Sequence, residues 1–377
     1  MGKNVADIKL TANSGIELPL PNPKDVKKVL ILGNTIGFFG YPGDGCNISN
    51  IHGEDAKRFA WMYNCALLGV EFEILGEEEE FDYYSDLFRK IKERYGYEAE
   101  ALFTVMKCND DYDRKLNEYI EEMEDTGKKR FDYAIMNPPY DRNLHLKFLE
   151  KVIKVADKVV NISQVRWLQE CILKDKQSPV HGIDCIHKIS PEQGKILFSV
   201  DIIMDLGIYE CQGNNTDLSK LCYVIDNYEI VSKIKNKCKG ADLIKNHFVE
   251  KSDYPLRAYY GVSLTHDDVG NIISMKESTA YDDSNITIHN RIIGCANETE
   301  RKNLYQSMKT VFFKFMVYSF GMGSIPYWIL PWMGDYTKPW TNARFCKYFG
   351  ITGFISDTEA EPGSEWETIL ETMKKYA

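Results

Sequence analysis

Apolar residues in the first half of this chain fall into short runs of strand length, and stretches of helical spacing separate them. KKVLILG predicts a strand over Val29–Leu32 that leads into a glycine-bearing turn at Gly33, Gly37 and Gly40. GEDAKRFAWMYNCALLGV then has helical spacing. VEFEIL, ALFTVMK, FDYAIM and DKVVNIS predict four more strands, and LHLKFLEKVIKVA predicts the helix that follows FDYAIM. KILFSVDIIMDLGIYEC predicts the closing strands, near Phe198–Met204 and Leu206–Glu210. Alternation of this kind predicts an α/β fold with a doubly wound parallel sheet, whose ligands bind beyond the carboxyl ends of its strands.

The pattern changes after QGNNTDLSK, although the apolar LCYVI just beyond it still suits the sheet. From Tyr228 onward a basic segment, a polar strand-like middle and an aromatic end predict a second domain of mixed helix and strand. The expected division is therefore 1–227 and 228–377. Lysines 233, 235, 237 and 239 read as a solvated helix face rather than a phosphate-facing strip.

Composition narrows the class. Of 377 residues, 27% are charged and 44% hydrophobic, which excludes a disordered chain and a membrane chain. No apolar run approaches a membrane span and the first residues lack a hydrophobic signal core, so a cytoplasmic protein is expected. Ten cysteines without a Cys-x-x-Cys pair signal neither a zinc module nor a disulfide framework. A net charge of −10 argues against a protein that coats nucleic acid, but leaves room for a local basic face.

The segment most informative about chemistry is FDYAIMNPPYDRNLHLKFLEKVI, Phe131 to Ile153, where an apolar strand stops at two prolines. At a strand's end proline sacrifices no ladder bond, and two in a row stiffen the turn. Such a turn aims the Asn137 side-chain oxygen and the Pro138 carbonyl outward together. Paired acceptors match the two hydrogens of a planar amine, and bonding both returns electron density to its nitrogen. Tyr140 adds an aromatic face suited to stacking a flat base turned out of a duplex.

Asn137, Pro138, Pro139 and Tyr140 resemble motif IV of the S-adenosylmethionine-dependent amino methyltransferases, particularly the adenine N-6 DNA methyltransferases. VNISQVRWLQ, MDLGIYEC and PWMGDYTKPWTNARFCKYFGITG extend the resemblance to a subgroup found in phages, prophages and gut bacteria. It implies a Rossmann-like methyltransferase sheet over 1–227 and a C-terminal α+β target-recognition domain over 228–377. It also implies S-adenosylmethionine as cofactor, double-stranded DNA as partner, no metal, and a restriction endonuclease as an allowed companion. In the family the target amine is held by the residues matching Asn137 and Pro138, and the residue matching Tyr140 stacks on the base.

Other positions follow in part from the same resemblance and in part from the residues themselves. Gly33, Asn34, Gly37 and Gly40 stand where the family's glycine-rich cofactor loop lies, without its acid-proline start. Glu77 follows the second strand, where an acid binds a ribose, with Glu78, Glu79 and Glu80 as rivals in what reads as a solvated loop. Asp110, with Asp111 as its equal rival, matches an acid near the cofactor adenine. Arg166 and Trp167 lie at the active edge, for phosphate contact and base packing, and His145 reads as a surface or satisfied helix histidine. Lys338 and Arg344 are candidate DNA contacts, whereas Trp328, Trp332 and Trp340 read as core. Methylation of an RNA base or a protein glutamine, and a catalytically silent DNA-binding homologue, are the alternatives.

Overall fold

The computed structural model describes residues 18–33, 35, 60–62, 64–95, 101–139, 143–198, 205–212, 216–248, 262–265, 274–277, 291–321, 331–334 and 336–374. The chain divides into two compact units, Met1–Val224 and Ile225–Ala377. The sequence reading set its boundary slightly later, at Tyr228.

In the first unit the strands are β1 (Lys28–Gly33), β2 (Glu71–Gly76), β3 (Ala101–Val105), β4 (Phe131–Asn137), β5 (Ala156–Gln164), β6 (Ile183–Ile189) and β7 (Leu206–Gln212). They form one sheet in the order β3-β2-β1-β4-β5-β7-β6. β1 to β5 are parallel, and β7 is antiparallel to both of its neighbours. The first unit is thus an α/β domain with a doubly wound, mostly parallel sheet.

Its helices include α1 (Glu78–Tyr95), α2 (Asn109–Thr126), α3 (Leu144–Val155), α4 (Arg166–Lys174) and α5 (Pro191–Phe198). Because side chains alternate across a strand, Val29 and Ile31 of β1 join Phe72, Ile74, Tyr133, Ile135, Val160 and Ile162 in one core, closed by Trp61, Met62, Tyr84 and Leu87. Leu30, Leu32, Ala134 and Met136 occupy the alternate positions and are equally buried. Their continuous apolar runs are what a strand covered on both faces requires. α2 and α3 contribute Tyr112 and Phe148, whose rings lie 5.7 Å apart, and Gly127 ends α2 in the left-handed conformation that a side chain would resist.

Two expectations near the end of the first unit are corrected. Phe198 closes helix α5 rather than opening a strand, and 199–204 lie outside the described residues. The strand beside β7 is instead β6, whose bulge between Ile183 and Cys185 breaks the alternation a strand normally shows. LCYVI is not part of the sheet either. Leu218–Val224 forms a 3-10 helix that buries Leu221 and Val224.

The second unit holds a three-stranded antiparallel sheet in the order β10-β8-β9, from β8 (Val262–Thr265), β9 (Ser274–Glu277) and β10 (Arg291–Ile293). Its helices are α6 (Tyr228–Cys238), α7 (Glu298–Met308), α8 (Val311–Gly321), α9 (Asn342–Phe349) and α10 (Glu365–Lys374). Phe312 of α8 stacks on Phe345 and Phe349 of α9, so the aromatic end of the chain is largely core, with Trp340 and Trp366 buried. Trp332 is half-buried and stacks on His247 at 3.9 Å, while Trp328 lies outside the described residues.

Candidate active site

In a doubly wound sheet the ligand crevice opens where the strand order reverses, outside the carboxyl ends. Here the reversal falls between β1 and β4, and the last residues of those strands, Gly33 and Asn137, are paired neighbours. The Asn-Pro-Pro turn therefore stands at the switch point. Asn137 and Pro138 are buried and Pro139 is half-buried. Tyr140, Asn34, Gly37 and Gly40 lie outside the described residues.

Gly33 shapes this junction. It adopts φ +78°, and a Cβ there would lie 2.3 Å from the Asn137 carbonyl oxygen and 3.2 Å from the Pro138 Cα. No side chain fits between them. The close backbone approach at the end of β1 is thus made by the chain's own Asn-Pro turn.

The acidic run after β2 is not a solvated loop but the start of α1. Glu77 is exposed just past Gly76, whereas Glu80 is buried. One Glu80 oxygen accepts the Thr35 N–H at 2.7 Å and the other accepts the Glu77 N–H at 3.0 Å. Burial pushes the Glu80 carboxyl up to about 7, against the pull of those backbone bonds and with the Glu77 charge adding to the rise. Sequence reasoning named Glu80 only as a rival to Glu77 in a solvated run and missed its burial. Its signal was the glutamate three residues after Glu77, the capping-box spacing that lets a side chain reach back to the residue before a helix.

Asp110 is exposed in the first turn of α2. Its rival Asp111 accepts the Lys107 N–H at 3.0 Å and pairs with Arg114 at 2.8 Å, so that carboxylate caps the helix. His145 is buried at the start of α3 and not on the surface. Arg166 opens α4 and lies 3.7 Å from Glu170. Trp167 is buried and stacks on Tyr209 at 5.9 Å, which makes its ring part of the core beside β7.

In the second unit Lys338 is exposed, and the Arg344 guanidinium lies 3.9 Å from the Trp340 ring centroid. The four alternating lysines do not share a face, because a two-residue step turns a helix by more than half a circle. Lys233 bonds the Gly350 carbonyl and pairs with Glu365, Lys235 is buried, and Lys237 lies over the Tyr348 ring. Among the described residues, no group of three or more His, Cys, Asp or Glu side chains is placed to hold a metal, and no helix is long and apolar enough to cross a membrane.

No family model and no curated protein matches this chain. Among solved structures it is similar to an O-methyltransferase family protein from Burkholderia thailandensis, with 7% identity over 52% of this chain and 54% of that one, at a TM-score of 0.27. The chain thus spans about half the length of that relative. A tRNA (uracil-54, C5)-methyltransferase from Pyrococcus abyssi, solved with S-adenosyl-L-homocysteine, is 15% identical over 49% of this chain and 34% of its own, at a TM-score of 0.24. The 23S rRNA methyltransferase ErmE is 8% identical over 62% of this chain and 79% of its own, at a TM-score of 0.25. With scores this low, the fold rests on the strand order and register described above.

Proposed function

We propose that the protein is an S-adenosylmethionine-dependent DNA methyltransferase acting on the N-6 amine of an adenine turned out of its duplex. The observation that carries this reading is the pairing of Gly33 with Asn137, which sets the Asn-Pro-Pro turn at the carboxyl edge where the strand order reverses. The reading assigns catalysis to 1–227 and target recognition to 228–377.

The acceptors near the strand ends suit the cofactor. Glu77 past β2 and Asp110 past β3 are exposed carboxylates, the acceptors that ribose hydroxyls and an adenine amine call for. S-adenosylmethionine, when bound, supplies the methyl group. Asn137 and the Pro138 carbonyl accept the two amine hydrogens, hold the base in plane, and raise the nucleophilicity of its nitrogen. Tyr140 stacks on the base, and Arg166, Lys338 and Arg344 meet phosphate.

The test is incubation with labelled S-adenosylmethionine and mixed-sequence duplex DNA, followed by digestion and nucleoside analysis. Label in N-6-methyladenine is expected, and Asn137→Ala should lower its rate by at least about a hundredfold, the usual cost of a polarising group. Label that enters RNA or protein amides instead would overturn the DNA reading. No cofactor binding at all would leave a silent DNA-binding homologue.

A further inference from the structure

Glu80 starts as an ordinary helix-capping residue, since its Oε2 accepts the N–H of Glu77, the residue before α1. A cap, however, needs one oxygen and stays in water. Glu80 is 3% exposed, and its Oε1 reaches the Thr35 N–H beyond the end of β1. The Thr35 hydroxyl lies 2.8 Å from the Tyr84 hydroxyl and 3.3 Å from the Gly33 carbonyl, which it bonds. Gly76, at the end of β2, makes the room, because a Cβ there would come within 2.4 Å of Glu80 Oε2. One carboxyl thus ties the chain leaving β1 to the chain leaving β2. The family's acid-proline start is absent at the end of β1, and a carboxyl reaches that place from α1.

We propose that Glu80 is the positioning residue of the cofactor site, its carboxyl clamping Thr35 to Glu77 and so fixing the spacing of the β1 and β2 ends that the bound molecule would span. This rests on the reading given under Proposed function. The titratable groups facing the carboxyl are Glu77 before α1, Tyr84 on α1 and Tyr112 on α2, and among the described residues no cation pairs with it. The ionised carboxylate accepts both backbone N–H groups through charge-assisted bonds. Burial outweighs those bonds, however, and raises the clamped carboxyl to about 7, so by linkage the clamp favours the protonated acid and weakens as pH rises through that value.

The first measurement needs neither variant nor ligand. The Thr35 backbone amide resonance of the full chain should titrate with a midpoint near 7, and in Glu80→Gln that titration should vanish. The second is calorimetry with S-adenosylhomocysteine across the same pH range. Wild-type affinity should fall about tenfold as pH rises through the midpoint, the worth of about one pKa unit of linkage. Glu80→Gln should lack the inflection and raise the cofactor KM while leaving kcat at saturation within about twofold. A Thr35 amide that does not titrate overturns the proposal, whatever binds. Affinity that is flat with pH overturns it while leaving the proposed function standing. Absence of binding by wild type at every pH overturns both.

Discussion

Two glycines with nearly the same backbone angle separate conformational strain from contact. Gly33 (φ +78°) and Gly69 (φ +72°) both sit in the left-handed region, but a Cβ on Gly69 would meet nothing within 4 Å. Gly69→Ala should therefore cost only the local strain, about 1–2 kcal/mol. Gly33→Ala adds the collision with the Asn137 carbonyl and should cost more than about 3 kcal/mol by denaturant unfolding. On the proposed function its damage should also reach activity, because relief of the clash moves the turn to which that reading assigns the amine acceptors. Equal losses of stability for the two variants would show that Gly33 does not brace that turn.

Strand by strand, the sheet was legible where burial is two-sided. β1 holds an unbroken apolar run, β2, β4 and β5 are apolar with a few polar interruptions, and the sequence marks all four within a residue or two of their observed ends. β6 escaped because its isoleucines recur at 183, 186 and 189 rather than at alternate positions, and a bulge between Ile183 and Cys185 at the edge of the sheet shifts its register. Charge inside a strand was equally hard to read. Glu73, in the middle of β2, is buried and meets Lys28 of β1 at 2.7 Å and Arg130, just before β4, at 2.5 Å. Burial alone would lift its carboxyl, but bonds from Arg130 and Lys28 hold it below the usual carboxylate range. The stability this contributes is complete above the unfolded glutamate pKa and is lost as pH falls through the lower folded value. Glu73→Gln should cost about 2–4 kcal/mol near neutral pH, and the gap from wild type should narrow in acid; a gap that is constant with pH would remove the ion cluster as its cause.

For the whole molecule the difficulty is its charge, since a net −10 repels a DNA polyanion and any affinity must come from a confined basic surface. The second unit brings two cations onto neighbouring rings, an arrangement that alternating lysines in the sequence did not reveal. Lys237 of α6 lies 5.1 Å from the Tyr348 ring centroid, Tyr348 packs on Trp340 at 5.5 Å, and Arg344 covers Trp340. Packing between α6 and α9, which sequence spacing does not encode, brings these residues together. On the proposed DNA reading, a strip of this kind would offer few phosphate contacts, so affinity for DNA should fall gently with salt. Lys237→Ala and Arg344→Ala should each reduce the slope of log affinity against log salt by about 0.9, the loss of one phosphate contact. Lys233→Ala should leave that slope unchanged and lower stability instead, because its ammonium is already held by Glu365 and the Gly350 carbonyl. Slopes that are identical in all three variants and wild type would move the DNA contact off this strip.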